Sequence, residues 1–450
     1  MPRMKNGVPA TLGRITALPK TNTAPLIEPF PSWDFNKLDD CDALQNVQNV
    51  EIDPKGIMYI LDGGHAHSLT EKPVKNCSAQ LVMYDVNKNV TLSTYVFPDH
   101  VVSRTASFLY DLVIDGEFVY ITDHVATDPG IVVYSKRANK SWKIRHPTMY
   151  GDPKAQQFKI NDEVVDVKIN IAGLALGPKS QRKSSELVLN QDREVFYTPI
   201  SSLHLYSIST GVLQNESNFN NGLNFSGDVR DVGLKASQTD GIMMTNRGVL
   251  YYGLLGSNSI AQWNSSKSFQ SSQVVLSKDA SYIQWTNSFT IDTNGTITVL
   301  SSTLQKLIRG ALDVNRYNFW LLSAEIGEKS YLYDDLTFEY ERESSSEPST
   351  KLTTPSSTAA TKPTKAQINE SVHETGHKGS GNQKILEVSL ILLSIKDLPP
   401  QPLEIAQGYF YQNPWVEIRW PREEIAVTLK LLVQKVSCKQ FMYVSIGTIA

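Results

Sequence analysis

One unit of the sequence recurs five times and constrains the fold more than any other feature. An apolar strand leads into an Asp-containing turn with Gly, and a second apolar strand follows, most clearly in Val47–Asp62 and Leu109–Asp123. Further copies start at Ile171, Asp240 and Asn287. A second strand pair follows each copy, so each repeat holds four strands. Four-stranded repeats of roughly 50–60 residues are typical of β-propeller blades.

Strand-like runs on both sides of the five repeats complete the predicted ring. They span Gly13–Phe35 and Tyr331–Tyr340, and we expect them to join into a sixth blade. The sequence therefore predicts an all-β protein built on a six-bladed β-propeller. Residues 1–29 are predicted to form an N-terminal segment and residues 30–343 the propeller.

A change of composition near Glu343 ends the repeat pattern. From Ser344 to Lys365, 15 of 22 residues are Ser, Thr or Pro, and Leu352 is the only large apolar side chain. Such a segment buries too little apolar surface to offset its conformational entropy. We therefore predict a disordered linker over residues 344–383, and a C-terminal segment of uncertain structure over residues 384–450.

Charge and hydropathy exclude two classes of partner. The chain has 43 Lys and Arg residues against 46 Asp and Glu residues, a formal net charge of −3. Nucleic-acid binding needs a concentrated basic face, so we expect no nucleic-acid partner. We expect no membrane span either, because no apolar run approaches the roughly 18–20 residues that a span needs.

Glycosylation sequons favour an extracellular protein. Eight Asn-x-Ser/Thr sequons occur, a modest excess over the roughly four or five expected by chance. The alternative is a random excess in a chain rich in Asn and Ser. No apolar leader is visible in residues 1–16, so secretion would require a signal peptide missing from this sequence. We predict glycosylation at Asn76, Asn89, Asn139, Asn215, Asn224, Asn264 and Asn294.

Three literal motifs could indicate metal or acid–base chemistry, and we assign a site to none of them. His373-Glu-Thr-Gly-His377 matches a zinc-protease motif, but Gly376 interrupts the helix that this motif requires. His65-Ala-His67 lacks further ligands nearby in the sequence. The recurrent Asp53, Asp115 and Asp292 precede Gly, and we expect them to shape turns. We predict no metal ion and no other cofactor.

An ordered series of short motifs runs through about residues 30–340. The motifs include Asp40-Cys-Asp42, Leu61-Asp-Gly-Gly64, Tyr120-Ile-Thr-Asp123, Gly173-Leu-Ala-Leu-Gly-Pro178 and Phe196-Tyr-Thr-Pro199. Each motif alone is common, but their order resembles the Yellow/major royal jelly protein family. The resemblance implies a secreted six-bladed propeller. Cys41 and Cys77 both lie in family-like motifs, so we predict a disulfide between them.

The resemblance also implies a ligand site. Amine-binding members of this family have an Asn-x-Phe pair in the pocket, which corresponds here to Asn287 and Phe289. In an extended strand these two side chains share a face, and an aromatic ring beside an amide suits an arylalkylamine. The leading hypothesis is a secreted binder of a small aromatic amine or catechol-derived ligand. A dopachrome-converting enzyme of melanin biosynthesis and an extracellular structural or matrix protein are the alternatives.

Overall fold

The computed structural model describes residues 1–15, 27–179, 192–219, 227–313, 315–333 and 386–389. All of these residues belong to the compact unit Met1–Tyr333 and Ile385–Ala450. The other unit, Asp334–Lys384, contains none of them, so the predicted linker lies outside the described residues.

Five four-stranded antiparallel sheets form the blades of a β-propeller. Within each blade, strands that are consecutive in the sequence are neighbours in the sheet. Blade 1 contains β3 (Val47–Ile52), β4 (Ile57–Asp62), β5 (Gln80–Asp85) and β6 (Val90–Val96). Blade 2 contains β7 (Leu109–Asp115), β8 (Phe118–Asp123), β9 (Gly130–Ser135) and β10 (Lys140–Ile144). Blade 3 contains β13 (Ile171–Leu176), β14 (Glu194–Pro199), β15 (His204–Ser209) and β16 (Val229–Leu234). Blade 4 contains β17 (Ile242–Met244), β18 (Val249–Leu254), β19 (Ser259–Asn264) and β20 (Val274–Lys278). Blade 5 contains β21 (Trp285–Ile291), β22 (Thr296–Ser302), β23 (Phe319–Glu325) and β24 (Leu386–Ser389).

Two short hairpins, three short α-helices and five single-turn 3-10 helices complete the described secondary structure. The hairpins pair β1 (Gly13–Ile15) with β2 (Ile27–Pro29), and β11 (Gln157–Ile160) with β12 (Glu163–Asp166). The α-helices are α1 (Thr210–Gln214), α2 (Phe269–Ser272) and α3 (Leu304–Ile308).

Apolar side chains on the two faces of each sheet hold the blades together. In blade 1, Tyr59 and Leu61 pack in a cluster with Leu112 and Val132 of blade 2. The alternate residues of the same strands, such as Ile60, pack in another cluster with residues of the N-terminal segment. Since successive side chains of a strand point to opposite faces, the inner strands of blade 1 are buried on both sides.

Turn chemistry explains two of the three recurrent aspartates. The Oδ1 atoms of Asp53 and Asp292 accept hydrogen bonds from backbone N–H groups of their own turns, which confirms the predicted turn-shaping role. Asp115 differs: its carboxylate accepts from Arg193 at 3.1 Å and from the Tyr120 hydroxyl at 3.2 Å.

The prediction of six blades is wrong for the described part of the chain, which forms five. The flanking run Gly13–Phe35 supplies only the short β1–β2 hairpin, whose strands of three residues pair with each other. In the described residues after β23 the chain turns inward, where Tyr331 bonds to the inner strands of other blades. Residues 334–340 of the second flank lie outside the described residues. The fourth strand of blade 5, β24, comes from the segment predicted as uncertain.

Candidate functional site

The first strand of each blade contacts the first strand of the next, from β3 through β7, β13 and β17 to β21. First strands of propeller blades surround a central channel. We call the end at which these strands begin the mouth end, and the end at which they finish the far end.

A ring of close contacts joins the inner strands near the mouth end. Asn49 donates from Nδ2 to Asp111 Oδ1 at 2.5 Å, and Asp111 Oδ2 accepts from the backbone N of Leu174 at 2.8 Å. Gly173 and Gly241 continue the ring because a Cβ atom at either position would lie within 2.5 Å of a neighbouring backbone oxygen. The inner ring is defined by Asn49, Asp111, Gly173, Gly241 and Asn287.

Asp240 lies next to the inner ring and joins three blades. Its Oδ1 accepts from the Tyr110 hydroxyl of blade 2, and its Oδ2 accepts from the Trp285 indole N–H of blade 5, both at 2.6 Å. All three side chains are buried. Two donors from different blades thus fix one carboxyl group beside two aromatic rings.

Tyr110, Asp240 and Trp285 form what we call the mouth cluster. The β11–β12 hairpin, Gln157–Asp166, covers this cluster, and we call it the cap hairpin. Phe158, Ile160 and Val165 alternate with more exposed residues and pack in one apolar cluster with Tyr110 and Trp285. The rings of Phe158 and Trp285 are 6.0 Å apart. The apolar face of the cap hairpin therefore lies against the mouth cluster.

Tyr331 occupies the far end. Its hydroxyl donates to Glu51 Oε2 at 2.7 Å and accepts from the backbone N of Ile114 at 2.9 Å. Its backbone N donates to the Met244 carbonyl at 3.1 Å, and its carbonyl accepts from Arg193. One buried residue thus ties four blades together at this end.

Three carboxyl groups along the inner strands hold their protons more tightly than usual. Desolvation of the Asp111 carboxylate raises its pKa to about 7, although hydrogen bonds from the backbone N–H groups of Leu174 and Leu112 partly oppose this rise. Burial raises the pKa of Asp240 and of Glu51 to about 8. These groups therefore change charge near neutral pH.

Asn287 and Phe289, predicted from the sequence as ligand contacts, lie on β21 but not in a regular strand. The pairing of β21 with β22 shifts between Thr286 and Ser288, so a bulge at Asn287 interrupts the alternation behind the shared-face expectation. Asn287 is buried in the inner ring, and its Oδ1 accepts from the Ser302 hydroxyl at 2.5 Å. Phe289 is buried in a cluster with Val249 of blade 4 and Val299 of blade 5.

The disulfide prediction is confirmed. Cys41 and Cys77 are bonded, with Cα atoms 5.3 Å apart, and lie 36 residues apart in the sequence.

The two histidine motifs form no metal site in the described residues. In His65-Ala-His67, the Nε2 atom of His65 forms a hydrogen-bond contact with the backbone carbonyl of Arg104. Across the described ranges, no group of three or more His, Cys, Asp or Glu residues could hold a metal ion. His373-Glu-Thr-Gly-His377 lies outside them.

Six of the seven predicted glycosylation asparagines are described, and Asn224 lies outside the described residues. Asn76 precedes β5 at the mouth end. Five lie in turns or strand ends at the far end: Asn89, Asn139, Asn215, Asn264 and Asn294. Asn264 is half-buried and the other five of the six are exposed. No helix in the described part of the chain is long and apolar enough to cross a membrane.

Sequence reasoning missed the residues that surround Asn287 at the mouth end, although the repeat carried a signal for Asn49 and Asp111. Asn49 and Asp111 each precede the turn aspartate of their repeat by four residues, and Asn287 precedes Asp292 by five. Aligning the repeats on that aspartate brings Asn49, Asp111 and Asn287 together. No repeated position marks Tyr110 or the cap hairpin.

Comparison with known proteins fits this architecture. The sequence profile of the major royal jelly protein family matches residues 45–330, more than half of the chain. The chain belongs to the major royal jelly protein family. The family recognised from the ordered motifs is thereby confirmed.

Relatives within the major royal jelly protein family share about a quarter of their residues with the chain. Major royal jelly protein 8 of Apis mellifera is 26% identical, over 72% of this chain and 78% of its own length. Dopaminechrome tautomerase of Drosophila melanogaster is 25% identical, over 73% of this chain and 72% of its own length. Protein yellow of Drosophila madeirensis is 23% identical, over 72% of this chain and 57% of its own length.

Proposed function

We propose that the protein is a secreted propeller that binds a small aromatic amine or catechol-derived ligand in its axial channel, between the inner ring and the cap hairpin. The observation that carries the proposal is the acidic, aromatic composition of the mouth. Asp240 accepts from the Tyr110 hydroxyl and from the Trp285 indole N–H, and Asp111 lies close enough to Tyr110 and Asp240 to contribute to the raised pKa of each. An ammonium group attached to an aromatic ring needs both kinds of partner.

The charge of the mouth supports a cationic ligand. The described partners of Asp111 are backbone N–H groups and the Asn49 amide, and those of Asp240 are a phenol and an indole. None of these donors carries a charge, so an ionised Asp111 has no compensating cation among them. Because Asp111 is only half-buried, it is the carboxylate we assign to the ammonium group.

Asn287 and Phe289 belong to the proposal as predicted ligand contacts. Asn287 lies on the inner ring, where its backbone carbonyl is close to Gly241. Phe289 packs among apolar residues of blades 4 and 5. If a Phe289 variant loses affinity, its melting temperature must be measured as well, to show whether the ligand contact or the fold has been lost.

Two features of the structure support secretion. A disulfide such as Cys41–Cys77 persists in oxidising compartments and is rare in the cytosol. Five exposed sequon asparagines would accept glycans. Treatment of protein from secreting insect cells with a glycan-removing amidase should increase its gel mobility, and an unchanged mobility would contradict glycosylation.

Titration calorimetry with dopamine tests the binding proposal. We expect saturable heat from the full-length protein, and affinity about 10–100-fold lower for Asp111→Asn, because a hydrogen bond to a charged group contributes about 1.5–3 kcal/mol. The matched control is Asp231→Asn, which removes an exposed carboxylate that pairs with His204 on blade 3. Equal affinities for all three proteins would contradict the assignment of Asp111.

The pH dependence of binding gives a second test. A protonated Asp111 attracts an ammonium group weakly, so dopamine affinity should rise as the pH passes upward through about 7. Asp111→Asn should lack the rise centred near pH 7 and keep only a rise from Asp240, whose pKa is about 8. A wild-type affinity independent of pH would contradict an ionised Asp111 as the partner.

The full-length protein also tests the two alternative functions. If it is a converting enzyme, incubation with dopaminechrome will change the absorbance of the solution. If it neither releases heat with dopamine nor converts dopaminechrome, the structural or matrix role is favoured.

A further inference from the structure

His124 is a buried polar residue whose ring lacks polar partners. The residue is 4% exposed, and neither Nδ1 nor Nε2 has a hydrogen-bond partner in the described part of the protein. Burying a polar group without a hydrogen bond destabilises a protein, so such groups are rare. The side chain therefore needs an explanation that the folded chain does not supply.

The backbone around His124 holds the ring in a fixed place at the mouth end. Asp123, the last residue of β8, accepts from the backbone N atoms of Phe108 and Val125 and from Lys143 Nζ. His124 N in turn donates to the Phe108 carbonyl at 3.0 Å. An ion pair and three backbone hydrogen bonds thus fix this short segment.

Aromatic contacts connect His124 to the mouth cluster. Its ring stacks on Phe108 at 4.5 Å and on Tyr110 at 5.0 Å between centroids. Tyr110 is the residue whose hydroxyl binds Asp240. Stacking uses the faces of the imidazole, so both nitrogens remain at the ring edge for a partner in the ring plane.

The protonation state of His124 narrows the kind of partner. Burial lowers the pKa of His124 to about 4, although the charge of nearby Asp123 partly opposes this change. The ring is therefore neutral at pH 7. A neutral imidazole offers one N–H donor and one acceptor nitrogen. This pair suits a hydroxyl group, which donates and accepts, better than an anion or an ammonium group.

We propose that His124 recognises a ring hydroxyl of the bound ligand, so that the site prefers phenolic and catecholic amines over amines with an unsubstituted ring. This inference rests on the proposed function, because it concerns the same site. It adds a selectivity that an acidic, aromatic mouth alone does not provide.

Affinities of three probes for the full-length protein and His124→Phe test the inference. The probes are phenethylamine, tyramine and dopamine, which carry zero, one and two ring hydroxyls. His124→Phe keeps an aromatic ring for stacking and removes both nitrogens. We expect unchanged phenethylamine affinity and about tenfold weaker binding of tyramine and dopamine, the effect of one hydrogen bond.

Melting temperatures of the same proteins distinguish ligand recognition from a structural role. Because the free protein leaves the nitrogens without partners, His124→Phe should melt at the same temperature or higher. His124→Gln, which restores a donor and an acceptor, should recover part of the hydroxyl preference. The matched control His204→Phe alters an exposed ring stacked on Tyr206 and should change no affinity.

Several results would overturn the inference. His124 does not bind the ring hydroxyl if His124→Phe loses affinity equally for all three probes or for none of them. A marked fall in the melting temperature of His124→Phe would show the same, because it would indicate a structural role. If phenethylamine binds the wild-type protein in those cases, the proposed function stands without this inference. If no probe binds, the proposed function falls and the inference falls with it.

Discussion

Replacing Tyr110 with Phe tests the charge state of Asp240 by removing a single oxygen atom. The change removes the hydroxyl that donates to Asp240 Oδ1 at 2.6 Å and leaves the buried ring in place. A hydrogen bond to a neutral group contributes about 0.5–1.5 kcal/mol to stability, and one to a charged group about 1.5–3 kcal/mol. The loss should therefore depend on whether Asp240 is ionised.

The pKa of Asp240, raised by burial to about 8, sets the direction of the pH dependence. Its folded-state pKa exceeds the ordinary value of 3.8, so the folded protein holds an extra proton between these values and loses stability as the pH rises through them. Tyr110 lowers that pKa, and removing its donor raises it further. Tyr110→Phe should lose about 1 kcal/mol at about pH 6 and about 2 kcal/mol at about pH 9.5.

Urea unfolding of the full-length protein, followed by tryptophan fluorescence at both pH values, measures these losses. The matched control is Tyr95→Phe, which removes a buried hydroxyl that donates to the neutral Ser141 Oγ at 3.0 Å. Its loss should be the same at both pH values. A Tyr110→Phe loss that is equal at both pH values, or larger at the lower one, would refute the reasoning.

Three further substitutions test other parts of the structure. Gly173→Ala should strongly destabilise the protein in thermal melts, because the new Cβ would lie 2.2 Å from the Asp240 carbonyl oxygen; an unchanged melting temperature would disprove that close contact. Cys41→Ser combined with Cys77→Ser should lower unfolding free energy by about 3–4 kcal/mol, measured in urea, and a loss near zero would mean the bond adds no constraint. Phe289→Ala should cost about 3–5 kcal/mol in the same assay, since the ring is 8% exposed among apolar neighbours; a loss below about 1 kcal/mol would indicate that the ring faces the channel instead.

The blade repeat could be predicted from the sequence because each copy carries local signals. Apolar runs and an Asp-Gly turn recur, and the turns at Asp53 and Asp292 form through the side-chain bonds that such a sequence favours. The sixth blade could not be judged in this way. Strand propensity in Gly13–Ile15 does not reveal that its partner is Ile27–Pro29, since pairing depends on distant parts of the chain.

The site was only partly predictable for a related reason. Asn287 was identified through a family pair, but the bulge that separates its environment from that of Phe289 is visible only in the strand register. The mouth combines Tyr110, Asp240 and Trp285 from three blades, and their sequence positions share no motif. Closure of the ring brings them together.

A crystal structure of the full-length protein with dopamine tests the central claim most directly. The account predicts the ligand between the inner ring and the cap hairpin, with its ammonium nitrogen about 2.7–3.1 Å from an Asp111 oxygen. Its ring should lie against Tyr110 or Trp285. Dopamine bound outside the channel, or bound inside it with the ammonium group away from both Asp111 and Asp240, would contradict the account.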